Sequence, residues 1–552
     1  MPARCQEKCQ RKCQKKAGFA CSALPDIRGT MGARRKRPAE SVDSMGKEVR
    51  GMLPESLTAM RERVADGTLS AFLSQLDRVA GCTNPIRLAG TVDHVDTSTG
   101  EMRRVLDTQT MPDGTLLVPC GNRRASVCPS CSYLYKGDAW QIVHAGLTGG
   151  PDVPASVAAH PGLFVTLTAP SFGPVHSRDK HGPPRTCHPR GRKRCPHGRP
   201  AGCNRIHGDG DSLLGQAICP ECFDYPAAVV WNACVSRLWK RTVDLTYRKI
   251  AAYVGASEWS VRRALRLSYV KVAEMQARGL VHLHVILRLD QGSTRDGEWI
   301  SPPEWATGEL VSRCLRRAAE EVRFPCPDPH QHDPVTLEQA LATLAGAGLV
   351  DVSAGTGPIP VADGEARWGE QLDIKRIDVE TGDLTPATVG NYLAKYITKS
   401  TTDSGKLDRR IRDGEELTAL LPFLTAHQAA LVKAAWRLGI WPEFDDLRLH
   451  AHAHEFGFRG HWLTKSRRYS TTFTRRRQAR RTWQRTHTPA GEERVPLDAF
   501  GRPDDSDETV IVASWRFHSV GYRRDGDRWL ALQAADLARS RREEAHLARN
   551  AA

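Results

Sequence analysis

The stretch Gly279-Leu280-Val281-His282-Leu283-His284-Val285-Ile286-Leu287 sets two imidazoles two residues apart in an otherwise apolar run. Side chains alternate along a strand, so Val281, Leu283, Val285 and Leu287 face a core while His282 and His284 share the other face, their Cα atoms about 7 Å apart. The preceding run, Ser268 to Gln276, joins it through Ala277-Arg278-Gly279, which suits a three-residue hairpin loop with glycine where positive φ is needed. In that register Gln276 faces Leu280, and Glu274 lies opposite His282 on the histidine face. Two imidazoles and a hard carboxylate can hold Mg2+ or Mn2+ and leave positions open for a phosphate oxygen and water. Gln276 is a rival third ligand, and a merely polar strand face explains a lone His-x-His.

Thr385-Pro386 is an N-cap and first-turn pair. It introduces Val389-Gly390-Asn391-Tyr392-Leu393-Ala394-Lys395-Tyr396-Ile397-Thr398-Lys399. Tyr392 and Tyr396 stand four apart on one helix face, each followed three residues later by a lysine, Lys395 or Lys399. A phenol of pKa about 10 attacks a phosphodiester only with a positive charge nearby and a metal polarising the phosphate. Val389, Tyr392, Leu393, Tyr396 and Ile397 also form an ordinary buried stripe, so core packing competes with catalysis for these side chains.

Cys120, Cys128, Cys131, Cys187, Cys195, Cys203, Cys219 and Cys222 lie within about 100 residues, with Cys-x-x-Cys knuckles at 128–131 and 219–222. Eight thiolates suffice for two tetrahedral zinc sites, and His197 or His207 can replace a thiolate. Cys195, Cys203, Cys219 and Cys222 are the preferred set for one of them. From Arg459 to Arg485 the chain carries ten Lys or Arg and no Asp or Glu. Arg459, Lys465, Arg467, Arg468, Arg475, Arg476 and Arg477 suit phosphate contacts, and Trp462, Tyr469, Phe473 and Trp483 are candidates for stacking on exposed bases.

The frame that must position these groups is long. At 552 residues two to four domains are expected, and 40% hydrophobic with 26% charged residues is a globular composition. The charge of +16 favours a polyanionic partner, DNA or RNA. No apolar run is long enough to span a membrane, and the first thirty residues lack an apolar signal core, so a cytoplasmic protein is expected and the clustered cysteines are assigned to metal rather than disulfides. Residues 1–50, with Cys5 to Cys21 among basic residues, read as a disordered tail; 51–160 as an N-terminal region with the first knuckle; 161–400 as the core holding the chemistry, with a zinc insertion at about 176–225; 401–485 as a helical basic DNA-binding region; 486–552 as a tail ending in a helix. Strands are expected at 163–168, 265–276, 280–289 and 371–378, and helices at 231–252 and 307–323. Together they make an α+β fold, a central antiparallel sheet flanked by helices.

In order, Phe164-Val165-Thr166-Leu167-Thr168, His282-Leu283-His284 and Tyr392-Leu393-Ala394-Lys395-Tyr396 resemble the three motifs of two-tyrosine HUH endonucleases. With Cys120-Gly121-Asn122-Arg123-Arg124, the run from Thr168 to His176, Cys195-Pro196-His197-Gly198 and the run from Gly460 to Ser470, the chain more closely resembles the RepSA-type rolling-circle replication initiators of actinomycete plasmids and integrative elements, over about 115–475. The resemblance implies a HUH-like sheet with the histidine strand in its middle. It also implies a site-specific single-strand endonuclease and strand transferase. There the metal held by His282, His284 and Glu274 polarises the scissile phosphate, Tyr392 attacks to leave a 5′-phosphotyrosine and a 3′-OH primer, and Tyr396 performs the second cleavage. Origin and single-stranded DNA would be the substrates. The 3′-OH would prime a host DNA polymerase, and with no Gly-x-x-x-x-Gly-Lys-[Ser/Thr] loop in the sequence, unwinding would come from a host helicase. The alternatives are a two-tyrosine transposase or relaxase, and a non-enzymatic zinc regulator that binds DNA.

Overall fold

The computed structural model describes residues 57–178, 183–293, 298–331, 335–346, 364–377, 385, 388–390, 393, 407, 409–487, 493–503 and 507–551. All belong to one compact unit spanning 55–552. The Cys5 to Cys21 series lies outside the described residues, as do Tyr392, Lys395, Tyr396 and Lys399.

In chain order, α1 (Leu69–Arg78) leads into a first sheet of β1 (Ile86–Asp96), β2 (Met102–Asp107) and β3 (Leu116–Val118). Then come α2 (Pro129–Thr148), β4 (Gly162–Leu167), the 30-residue α3 (Tyr225–Val254), α4 (Glu258–Ala264), β5 (Leu265–Met275) and β6 (Val281–Gln291). They are followed by α5 (Gly308–Glu321), β7 (Phe324–Cys326), α6 (Leu337–Leu344), β8 (Gly364–Ala366), β9 (Leu372–Ile377), α7 (Gly414–Leu420) and α8 (Ala426–Leu438). The chain closes with β10 (Leu463–Lys465), α9 (Phe473–Thr486), β11 (Thr509–Val520) and α10 (Asp525–Ala551). The result is a mixed α+β fold whose paired strands are all antiparallel among the described residues.

The larger sheet has the order β10-β5-β6-β4-β9, so the histidine strand is its middle member. One face carries Leu163, Val165, Leu267, Ala273, Leu283 and Val285 and is covered by α3, α5 and α8. The other carries Phe164, Val270, Val272 and Ile286 and is covered by Ala139, Val143 and Leu147 of α2, by Val389 and Leu393, and by Tyr469. The histidine face is therefore a second core and not a solvated surface.

The segment expected as a terminal tail is partly built in. β11 pairs with β1 along its length, from Thr509 opposite Asp96 to Val520 opposite Ile86. The β-branched run Thr509-Val510-Ile511-Val512 is the local cause. The inner face of this smaller sheet contributes Leu117 to a core with Phe72, Leu76, Leu530 and Ala531.

Lys271, on β5, is buried on the α3 side, with Nζ 3.4 Å from the Ser236 hydroxyl. Burial pushes its ammonium down to about 8. Folding thus favours the neutral amine, and stability must fall as pH drops from the unfolded lysine value near 10.5 through about 8, then level off. Lys271→Met is expected to raise stability by about 1–3 kcal/mol at neutral pH and to flatten that slope, as read by denaturant unfolding across the pH range.

Candidate active site and metal centres

The β5–β6 hairpin supplies the first part of the site. Gly279 has φ +73°, Gly279 N donates to the Gln276 carbonyl at 2.9 Å, and Gln276 N to the Leu280 carbonyl at 2.9 Å. Glu274 consequently stands opposite His282. The two imidazoles meet edge to face with centroids 4.6 Å apart. His284 is buried; its Nε2 lies 3.3 Å from Glu274 Oε2, its Nδ1 3.4 Å from Thr166 Oγ1, and its ring is parallel to that of Phe164. The rival ligand is equally near, since Gln276 Nε2 is 3.4 Å from His282 Nδ1, while Gln276 Oε1 accepts from Arg278 Nε at 2.9 Å. Burial, with His284 as a second cause, pushes His282 down to about 3, so it is a neutral imidazole at physiological pH, the form that donates a lone pair to a metal.

A cavity of about 390 Å³ opens on this face. Its lining includes His282, His284, Thr166, Thr168, Asp373, Lys375, Thr388 and Val389. Asp373 pairs across the sheet with Thr166, which in turn pairs with His284, placing a further carboxylate in the same cross-strand row. Asp373 and Lys375 were not singled out in the sequence; β9 carries no motif, and only its position beside β4 brings them here. Thr388 and Val389 are helical, Val389 is buried, and Leu393 joins the same core. The tyrosines and Lys395 themselves lie outside the described residues.

Three groups of four ligands gather elsewhere, each with its ligand atoms within 4.8 Å of one another, and all three are consistent with zinc sites. Eight thiolates in sequence point to two such sites. The eight anticipated thiolates are divided among three clusters, and Cys82, His176, His197 and His207 complete them.

The first cluster is Cys82, Cys120, Cys128 and Cys131. Cys128 caps α2, and the neighbouring thiols, Cys120 foremost, hold it far below the usual thiol range. Cys82 was missed because it lies well outside any knuckle. It follows Gly81 (φ +66°), where a Cβ would come 2.5 Å from the Ala531 carbonyl oxygen, and the Cys82 carbonyl accepts from Tyr522 Oη at 2.5 Å. The cluster thereby sits where the N-terminal segment meets the C-terminal one.

The second cluster is His176, Cys187, Cys203 and His207, so Cys203 does not belong with Cys195 as preferred from spacing. Backbone pairing of His188 with Cys203 draws Cys187 alongside Cys203. His207 Nε2 lies 3.2 Å from His176 Nδ1 and 3.5 Å from Cys203 Sγ, while its Nδ1 is held by Asp211 at 2.7 Å. A carboxylate behind an imidazole in this way fixes ring orientation for metal binding. The third cluster is Cys195, His197, Cys219 and Cys222. A turn closed by Gly198 N donating to the Cys195 carbonyl carries His197 beside Cys195, and His197 Nδ1 is 3.3 Å from Cys222 Sγ.

The basic segment is only partly as expected. Trp462 and Tyr469 are buried, with Trp462 Nε1 donating to Glu455 at 2.9 Å and Tyr469 Oη to the Val143 carbonyl at 2.9 Å. Phe473 stacks on Tyr135 at 4.8 Å. These three aromatics serve packing, and of the four only Trp483 is exposed. Arg459 donates to the Asp446 carbonyl, Lys465 to the Arg467 carbonyl at 3.1 Å, and Arg477 to the Phe473 carbonyl at 3.2 Å. Arg475 pairs with Asp152 at 3.1 Å, while Arg476 and Arg480 flank Asp138 of α2 at 3.9 and 2.5 Å. Arg467 precedes Arg468, whose carbonyl accepts from Arg288 on β6 at 3.3 Å.

Among the described residues no helix is long and apolar enough to cross a membrane. Residues 68–536 match the family described as the replication initiator protein of pSAM2, RepSA. A replication initiator protein of Streptomyces ambofaciens is 37% identical over 475 residues, covering 85% of this chain and 91% of that protein. No solved structure matches.

Purified protein is expected to hold three zinc ions per chain by elemental analysis. Cys82→Ser should hold two. Asp211→Ala should retain three but release one to a competing chelator about 10–100-fold more readily.

Proposed function

Because the chain belongs to the RepSA replication initiator family, we propose that it initiates rolling-circle replication by nicking and rejoining one DNA strand at an origin, using a HUH-like site on the larger sheet. The observation that carries this reading is the shared cavity. Thr388 and Val389, which precede Tyr392 by four and three residues in sequence, line the same space as His282 and His284. The donor set fits a hard divalent cation: His282 is neutral, and His284 and Glu274 converge beside it. Mg2+ or Mn2+ bound by His282, His284 and Glu274, or with Gln276 in place of Glu274, supplies polarisation of a phosphate oxygen.

The rest is the work of side chains. Thr166 and Phe164 orient His284. The Tyr392 hydroxyl gives its proton to solvent water, with Lys395 favouring the phenolate, and its oxygen bonds the scissile phosphorus. The bond from phosphorus to the 3′-oxygen breaks, and that oxygen takes up a proton as the 3′-OH that primes a host polymerase. The 5′-phosphotyrosine keeps the phosphodiester's free energy, so Tyr396 can cleave and the strands rejoin without ATP. Origin DNA and its single strand are the substrates, a host helicase supplies unwinding, and the arginines of α9 with Arg459, Lys465, Arg467 and Arg468 contact phosphates.

Incubation with single-stranded origin DNA and Mg2+ or Mn2+ is expected to yield a covalent protein–DNA adduct on a denaturing gel. The Tyr392→Phe, Tyr396→Phe double variant and His282→Ala should each lose at least about 100-fold of the initial rate. An adduct undiminished in the double tyrosine variant would remove the proposed nucleophiles.

A further inference from the structure

β11 is an edge strand of the smaller sheet, and its outer rim has no partner strand among the described residues. Every residue from Val510 to His518 is exposed. Edge strands of proteins that remain monomeric are usually short, or interrupted by charge, proline or a bulge. This one is 12 residues long. From Thr509 to Trp515 it contains no charge, proline or glycine. Its one bulge lies near Phe517, where the register against β1 shifts between Arg87 and Leu88, beyond the uncharged stretch.

The charges at the two ends of that stretch complement each other. Opposite residues of an antiparallel ladder share a face, so two copies of β11 extend one continuous sheet only about a two-fold axis passing through a residue. With the axis at Val512, Glu508 stands opposite Arg516 of the second copy at both ends, bracketing Thr509 with Trp515, Val510 with Ser514, and Ile511 with Ala513. Of the registers confined to residues 508–520, only this one sets the strand's single cation against an acid. Among the described residues Arg516 has no ion-pair partner, and the exposed Glu508 carboxylate pairs with a single cation, Arg502, at 3.1 Å. We propose that the protein self-associates through β11, joining two four-stranded sheets into one of eight strands.

Sedimentation velocity of the full chain over a concentration series tests this. A monomer–dimer equilibrium is expected for the native sequence. Val512→Lys, which sets two ammonium groups at the axis, and Arg516→Glu, which opposes like charges twice, should each weaken the dimer at least about tenfold. The double variant Glu508→Arg, Arg516→Glu should restore it. All three positions are exposed, and an unchanged circular dichroism spectrum and zinc content verify that the variants fold. A chain that stays monomeric throughout, a dimer indifferent to Val512→Lys, or a charge swap that fails to restore association would overturn the proposal.

Discussion

A single buried amide fixes where the histidines point. Asn232 on α3 is fully buried; its Nδ2 donates to the Gly279 carbonyl at 2.8 Å and the Phe456 carbonyl at 2.9 Å, and its Oδ1 accepts from Val281 N at 3.0 Å. Three bonds satisfy most of what an amide can make, in a place where an unmade one would cost about 1–3 kcal/mol. Because strand side chains alternate, a slip of one residue would turn His282 and His284 into the larger core and bring Leu283 to the cavity. The loop is braced from its other side by Arg278, which donates to the Ala169 and Pro170 carbonyls at 3.1 and 3.2 Å, while the Arg278 carbonyl is 3.1 Å from His427 Nε2. The hairpin is thus tied at once to the central helix, to the end of β4 and to α8.

The same strand connects the histidines to the basic segment. Arg288, four residues beyond His284 and on the same face, is bidentate to Asp290 at 2.7 and 2.9 Å. Its remaining donors reach the carbonyls of Gly146, Tyr469 and Arg468. Burial opposes ionisation of Asp290, but hydrogen bonds from His160 and Arg288 outweigh it and hold the carboxyl below its ordinary range. A buried ion pair of this kind does little for net stability, yet removing either partner leaves an uncompensated charge. Its consequence is positional: the stretch leading into the arginine-rich α9 is anchored on the histidine side of the sheet.

What was legible in the sequence follows from how local its causes are. Period-two alternation and a glycine at the turn gave the β5–β6 hairpin and the Glu274 to His282 pairing, because both depend on a few consecutive residues. The ends of α5 and β9 fell within a residue or two for the same reason. Ligand sets did not, since a tetrahedral site is assembled by loops: Cys82 reaches its partners through a left-handed glycine and contact with α10, and Cys203 was drawn from one cluster to another by backbone pairing with His188. The aromatics of the basic segment were misjudged because exposure is a property of the partner surface. Nothing around Tyr469 announces that its hydroxyl ends on the Val143 carbonyl. Asp373 and Lys375 are reached only through the order of strands in the sheet.

Metal binding and the hairpin meet in one further contact. Between the end of β4 and the start of α3 the chain has no strand and no helix beyond a single short turn among its described residues, only isolated bridges and turns. Such a segment buries little apolar surface to offset its conformational entropy, and the two Cys/His clusters within it stand where metal–ligand bonds would supply what a core otherwise provides. The second cluster closes the loop around His176, whose carbonyl accepts from Gly215 N at 2.8 Å. Gly215 (φ +85°) in turn presses against the hairpin loop so closely that a Cβ there would sit 2.4 Å from the Ala277 carbonyl carbon. Ala277 precedes Arg278, which holds Gln276, which lies against His282. The Cys/His-rich insertion therefore forms one wall of the loop that sets the histidine register, and its folding and the geometry of the histidine site are parts of a single packing problem.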